Sequence, residues 1–190
     1  KPGHVGENFA PYLNAYQNTR PLMLAQYPTT YNPYYTDIIN FLQTPADKVT
    51  TTTLRDDRLA AFGPGIVGKY VIIWVYGNAL ATRKIISFNV ASNTITFDAV
   101  SPYTDRPTPF AILNSVNDAA LDEAGEYAVD ENSGTTGKYR IFVWPYDQVD
   151  LASGNQISIS ARAGAIALWY PPNYSVIEGF EIRRLGGDSY

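Results

Sequence analysis

The sequence predicts an all-β protein. Its periodic segments are dominated by Val, Ile, Thr, Tyr, Phe and Trp, the residues that fit a pleated and half-buried surface. Its longest apolar run, Tyr70–Tyr76 (YVIIWVY), has the length of a strand. Gly, Pro, Asn and Ser recur between these runs at positions where turns are expected.

The first segment, residues 1–48, is predicted to be largely irregular. Arg20–Pro28 (RPLMLAQYP) is typical of one short strand that ends at a proline. Tyr31–Tyr35 (YNPYY) is a proline turn rich in aromatic residues, and Asp37–Leu42 has the length of one helical turn.

The second segment, residues 49–145, is predicted to be a small β-module of hairpins. Val49–Leu54 is a Thr-rich strand, and Gly63–Gly65 is a Gly-Pro-Gly turn. Lys69–Tyr76 is almost continuously apolar, which indicates a strand covered on both faces. Lys84–Val90 and Thr94–Asp98 alternate around a short polar turn, and this predicts a hairpin.

A second hairpin is predicted within the same module. Its arms are Glu126–Val129 and Tyr139–Trp144, and they flank the polar loop Asp130–Lys138 (DENSGTTGK). Pro145 then ends the second arm because proline cannot donate a ladder hydrogen bond.

The third segment, residues 146–190, differs in its spacing. Gln156–Ser160, Ala165–Leu168 and Tyr174–Ile182 are strand-like and are separated by bends too short for helical crossovers. Strands so connected are expected to stack as parallel coils of a solenoid, with Gly179 at a corner. The residues expected to face one interior are Ile157, Ile166, Val176 and Ile182.

Tyr174–Arg184 (YSVIEGFEIRR) resembles the strand–Glu-Gly–strand rung of pectate-lyase-like right-handed parallel β-helix proteins. Leu22–Pro28, Leu121–Val129 and Ile141–Pro145 precede it in the order seen before the first coils of such proteins. The resemblance implies the N-terminal region of a carbohydrate-active β-helix protein, with an extracellular or secreted location and a polysaccharide partner. In that family the catalytic groups usually lie on later coils, so no catalytic residue is carried over to this chain.

Composition excludes several other classes of function. The absence of cysteine excludes disulfides, thiolate metal sites and a cysteine nucleophile. A net charge of −4 without a basic patch argues against nucleic-acid binding. No apolar run approaches the roughly 18 residues that a membrane span requires. His4 is the only histidine, so a metal site built from several histidines is also excluded.

The candidate substrate-binding residues are aromatic or charged. Aromatic faces stack on sugar rings because they offer a large and rigid apolar area, although aromatic residues packed beneath loops are the commoner case. Glu178 and Arg183 lie on the β-helix-like rung, where an arginine could neutralise an acidic sugar. The aromatic candidates are Tyr31, Tyr34, Tyr35, Trp169 and Tyr170.

Carboxylates suggest two further possibilities. Glycoside hydrolases pair two carboxyl groups across the scissile bond, and Asp122, Glu123 and Glu126 are close enough in sequence to be considered. A solvated turn before a strand is the simpler interpretation of these three residues. Asp130–Gly134 (DENSG) carries oxygen ligands of the kind that Ca²⁺ prefers, but it lacks alternating acidic spacing, and an ordinary hairpin loop is favoured. No other cofactor is predicted.

Three functions stay open at the level of sequence. The first is a β-helix protein that binds or processes polysaccharide; an enzyme of this kind would be a lyase or a glycoside hydrolase with catalytic residues outside this chain. The second is a non-catalytic extracellular protein that forms homo-oligomers or filaments through open strand edges such as Tyr174–Arg184. The third is a β-sandwich binding module with antiparallel strands over residues 156–182.

Overall fold

The computed structural model describes residues 15–29, 41–76, 79–117, 120–130, 140–149 and 156–159. Within these ranges the chain forms three β-sheets and two short 3-10 helices, Ala46–Lys48 and Asp57–Ile66, and none of the sheets closes on itself. The prediction of an all-β protein is confirmed. The strands are β1 (Ala15–Gln17), β2 (Arg20–Pro21), β3 (Met23–Leu24), β4 (Gln26–Tyr27), β5 (Leu42–Thr44), β6 (Thr53–Arg55), β7 (Tyr70–Val75), β8 (Ala79–Asn89), β9 (Thr94–Phe97), β10 (Thr108–Leu113), β11 (Glu126–Asp130), β12 (Arg140–Trp144) and β13 (Ile157–Ile159).

The largest sheet has seven strands in the order β4-β10-β7-β8-β9-β6, and β5 also pairs with β10. All of its pairings are antiparallel. The predicted strand over residues 69–76 is β7, which lies between β10 and β8 in the interior of this sheet. The predicted hairpin is formed by β8 and β9, although β8 is longer than expected because it also pairs with β7 along its first half.

Both faces of β7 are covered along most of its length, as its apolar run predicts. Val71 and Ile73 belong to the main hydrophobic core, whereas Tyr70 and Ile72 belong to a second cluster on the opposite face. Burial of each such side chain stabilises the fold by about 1.5–3 kcal/mol relative to its exposure. The coverage is incomplete at Trp74, which is only partly buried, whereas Val75 is buried in the main core.

The main core is completed by the 3-10 segment Asp57–Ile66, which contributes Leu59, Phe62 and Ile66. The predicted Gly-Pro-Gly turn is part of this segment, and Gly63 has a φ of 54° where two helical stretches meet. Left-handed backbone of this kind is readily adopted by glycine, which has no Cβ.

An ion pair holds the start of this 3-10 segment. The Arg58 guanidinium donates from Nε to Oδ1 of Asp56 and from Nη2 to Oδ2, both at 2.7 Å, and Nη2 also donates to the Gln43 carbonyl at 2.8 Å. Burial opposes ionisation of Asp56, but the hydrogen bonds and the charge of Arg58 outweigh it and hold the pKa of this carboxyl below its ordinary value. The pair therefore ties the helical segment to the end of β5.

The other two sheets have three strands each, in the orders β12-β11-β3 and β13-β1-β2. The antiparallel pairing of β11 with β12 confirms the second predicted hairpin. A third hydrophobic cluster includes residues of both small sheets, among them Ala15, Tyr127 and Val129.

The segment predicted as one strand, Arg20–Pro28, is divided among all three sheets. β2 pairs with β1, β3 pairs in parallel with β11, and β4 pairs with β10. Ala25, between β3 and β4, donates to the Tyr127 carbonyl at 2.7 Å and accepts from the Asn114 amide at 2.8 Å. The single-strand prediction is wrong because these partners lie far along the chain, where local sequence gives no signal.

Two other local predictions need correction. Val49–Leu54 is not one strand: it turns back on itself, with Thr50 accepting through Oγ1 from the Thr53 amide at 3.0 Å, and only Thr53–Arg55 is a strand. Threonine hydroxyls compete with strand pairing in this way. Leu42, expected at the end of a helical turn, begins the strand β5, while residues 37–40 lie outside the described ranges.

The predicted coils of residues 156–182 are represented only by β13. This strand pairs antiparallel with β1, and in the described part of the chain the only parallel pair is β3 with β11. A parallel β-helix is therefore not shown. Ile166, Val176, Gly179 and Ile182 lie outside the described residues.

Candidate functional site

An exposed aromatic ring lies directly after the central strand β7. The side chain of Tyr76 is 74% exposed, although this residue ends an apolar run that was predicted to be covered on both faces. Its backbone amide donates to the Ser101 carbonyl at 2.8 Å, which places the end of β7 beside the loop before β10. The Tyr103 ring lies against Tyr76, with ring centroids 6.1 Å apart and an angle of 59° between the planes.

A pair of opposite charges completes this surface. The Arg106 guanidinium lies over the Tyr103 ring, 4.8 Å from its centroid. It also donates from Nε to Oδ1 of Asp105 at 3.1 Å and from Nη2 to Oδ2 at 3.0 Å. The hydrogen bond from Arg106 lowers the pKa of Asp105, so the pair stays ionised across the neutral range. Tyr76, Tyr103, Asp105 and Arg106 are referred to below as the Tyr76 surface.

The local sequence explains why this surface keeps its shape. Pro102 and Pro107 flank the residues that carry the ring and the charges. Proline fixes φ near −65°, so this loop has fewer conformations to lose when it binds a ligand. Tyr103 is itself buried and provides a fixed base for the exposed Tyr76 ring and for the guanidinium.

The arrangement offers the two kinds of contact that sugars make. An exposed aromatic ring covers the apolar C–H face of a pyranose, and tyrosine does so with little loss of conformational freedom. The guanidinium and carboxylate supply donors and acceptors for hydroxyl groups at the side of the ring. The Tyr76 surface is thus chemically suited to carbohydrate binding.

The candidate carboxylates Asp122, Glu123 and Glu126 do come together, in a turn that leads into β11. Oε2 of Glu126 accepts from the backbone amides of Asp122 at 2.9 Å and Glu123 at 3.0 Å. Burial, joined by the nearby charges of Asp122 and Glu123, raises the pKa of Glu126 to about 7 even though the two backbone hydrogen bonds favour its ionised form.

The geometry of this turn indicates a structural role for its carboxylates. The Glu126 side chain is 1% exposed, so a substrate has no approach to it, and its accepting oxygen is directed at its own turn. Asp122 accepts from the Thr29 hydroxyl at 2.9 Å and so holds the chain that follows β4. In the ranges that the structure describes, no group of three or more acidic or histidine side chains could hold a metal ion.

The remaining predicted site residues lie outside the described part of the chain. They include the proposed Ca²⁺ loop except for Asp130, which ends β11. The structure therefore neither brings them together nor separates them. The aromatic and charged candidates so placed are Tyr31, Tyr34, Tyr35, Trp169, Tyr170, Glu178 and Arg183.

Sequence reasoning missed the Tyr76 surface, because Tyr76 was counted as the last residue of a buried run. The signals that could have identified it are the Gly77-Asn78 pair directly after the run and the two prolines around Tyr103. Among the described residues, no helix is long and apolar enough to cross a membrane. Comparison with protein-family models, curated proteins and solved structures gives no match to this chain.

Proposed function

We propose that this chain is a carbohydrate-binding β-domain that holds polysaccharide on the Tyr76 surface. The observation that carries the proposal is the 74% exposed Tyr76 ring, supported from below by the buried Tyr103 ring. An exposed aromatic ring on a rigid base presents a large apolar area, and covering that area with the apolar face of a ligand lowers the free energy of the complex.

Binding, and not catalysis, is the activity that the described residues support. The carboxylate with the raised pKa, Glu126, is enclosed in its own turn, and Asp105 is engaged with Arg106. Neither stands opposite a second carboxyl group across an open cleft, which is the arrangement that glycoside hydrolysis needs.

The wider setting of the proposal follows from the sequence resemblance. We propose that the domain precedes the coils of an extracellular right-handed parallel β-helix, of which Tyr174–Arg184 would be an early rung. In such a protein the Tyr76 surface would hold a polysaccharide close to catalytic residues that lie on later coils.

The test is direct binding of soluble oligosaccharides, measured by isothermal titration calorimetry against a panel of plant, algal and animal glycans. We expect Tyr76→Ala to weaken binding about five- to thirtyfold, since loss of an aromatic contact costs about 1–2 kcal/mol. Tyr76→Phe keeps the ring and should retain most of the affinity. Val90→Ala is the matched control, because Val90 is 61% exposed and lies beside the turn between β8 and β9. The proposal fails if no glycan binds, or if Tyr76→Ala binds as well as the wild type.

A further inference from the structure

The charges of the Tyr76 surface are already balanced within it. Asp105 and Arg106 are joined by two hydrogen bonds, and their side chains are similarly exposed, at 63% and 61%. The pair therefore presents no net charge to a ligand, while its positions at the surface keep both groups accessible.

Arg83, whose guanidinium lies against the chain that precedes Ser101, is also engaged in hydrogen bonds. Arg83 donates from Nε and Nη2 to the Ala99 carbonyl at 3.3 and 3.2 Å, and from Nη1 to the Thr82 carbonyl at 2.9 Å. Ala99 lies two residues before Ser101, whose carbonyl binds the Tyr76 amide. Asp98, which is exposed, adds a negative charge to the same stretch of chain.

The hydrogen-bonding capacity of the pair is, by contrast, only partly used. A guanidinium has five N–H groups, and the bond to Asp105 uses two of those on Arg106. A carboxylate has about four acceptor positions, so Asp105 also keeps acceptor capacity. Donors and acceptors side by side match two neighbouring hydroxyl groups of a sugar, each of which can both donate and accept.

We propose that the Tyr76 surface selects neutral glycans over glycans that carry carboxylate or sulfate groups. The neutral sugar stacks on Tyr76 and places adjacent hydroxyls on Arg106 and Asp105. An anionic sugar would have to compete with Asp105 for the guanidinium of Arg106. This selectivity rests on the proposed carbohydrate-binding function.

The experiment compares two sets of oligosaccharides of equal length on the same protein. The neutral set contains β-glucan, xylan, mannan and galactan hexasaccharides, and the anionic set contains oligogalacturonate, oligoalginate and a sulfated galactan. We expect the best neutral ligand to bind at least tenfold more tightly than any anionic one. Its affinity should change less than twofold between low and high NaCl concentration, because no ion pair forms with the ligand.

Asp105→Asn provides the decisive variant. It releases the guanidinium of Arg106, so we expect the affinity for anionic oligosaccharides to rise several-fold and to become dependent on salt, while the affinity for neutral ones falls. Both residues are exposed, and thermal melting is used to confirm that the variant is folded.

The outcomes separate the two proposals. An anionic ligand that binds the wild type more tightly than every neutral ligand, in a manner that Tyr76→Ala abolishes, would overturn the selectivity and leave the carbohydrate-binding function standing. An Asp105→Asn variant that binds both sets as the wild type does would also overturn it. Absence of binding by every oligosaccharide would overturn both proposals.

Discussion

The buried carboxyl of Glu126 predicts that the stability of this protein falls as the pH rises through the neutral range. The pKa of Glu126 is about 7 in the folded chain, against an ordinary value of 4.5 that applies when the chain unfolds. Between these two values the folded state binds more protons than the unfolded state. The free energy of unfolding therefore decreases from pH 4.5 to about pH 7 and is constant above that, as far as this group is concerned.

Replacement of the carboxyl by an amide isolates this effect. In Glu126→Gln the side-chain oxygen can still accept from the amides of Asp122 and Glu123, but the group carries no charge at any pH. One pKa unit corresponds to about 1.4 kcal/mol, so the buried charge costs the wild type up to about 3 kcal/mol at pH 8. We expect Glu126→Gln to be about 1–3 kcal/mol more stable than the wild type at pH 8, with a difference close to zero at pH 4.5.

Urea unfolding followed by tryptophan fluorescence at several pH values between 4.5 and 8 provides the measurement. Asp98→Asn is the control, because Asp98 is a carboxylate in an exposed position. Glu126→Ala removes the acceptor as well as the charge, and it should be less stable than Glu126→Gln throughout, by about 1–3 kcal/mol for the unsatisfied amides. If the wild type and Glu126→Gln show the same dependence of stability on pH, the account of Glu126 is refuted.

Two further substitutions test how the sheets are joined. Gly125→Ala should destabilise the fold by about 3 kcal/mol or more, because Gly125 has a φ of 97° and a Cβ there would overlap the Tyr146 ring; an equally stable variant in urea unfolding would contradict this packing. Asn114→Ala should cost about 2–4 kcal/mol, because the buried Asn114 amide group donates to the Val129 carbonyl at 2.9 Å and accepts from its N–H at 2.6 Å. Asn114→Asp, in which an acceptor replaces the donor opposite that carbonyl, should be at least as destabilising, and a thermal melting temperature equal to that of the wild type would count against the assignment.

The parts of the fold that were predicted correctly depend on local signals. The strand β7 is apolar on both faces because a hydrophobic cluster covers each of them, and the arms of β8–β9 and β11–β12 alternate and are joined by polar segments. In each case the signal is local. The two arms of a hairpin follow one another in the sequence, and the burial of β7 is indicated by the residues of β7 itself.

The parts that were missed depend on contacts between distant residues. Nothing within Arg20–Pro28 indicates that Met23 pairs with Glu126 while Gln26 pairs with Leu113. The exposure of Tyr76 likewise depends on how far other elements pack over the sheet, and that packing is made by residues distant in the sequence. Glu126 was recognised as a candidate, but its role in its own turn required the hydrogen-bond geometry.

The division of residues 15–27 among the three sheets has a consequence for synthesis on the ribosome. This segment leaves the ribosome before its partners in β10, β11 and β13, which end at residues 113, 130 and 159. Its pairings therefore have a high sequence separation, and such contacts form slowly because long loops must close first. Until they form, β1, β10 and β11 each keep backbone donors and acceptors that these pairings would satisfy, and unpaired strands invite association with other nascent chains. We expect the described sheets to be completed in a late and cooperative step, after residue 159 has emerged, and the nascent chain to depend on chaperones until then.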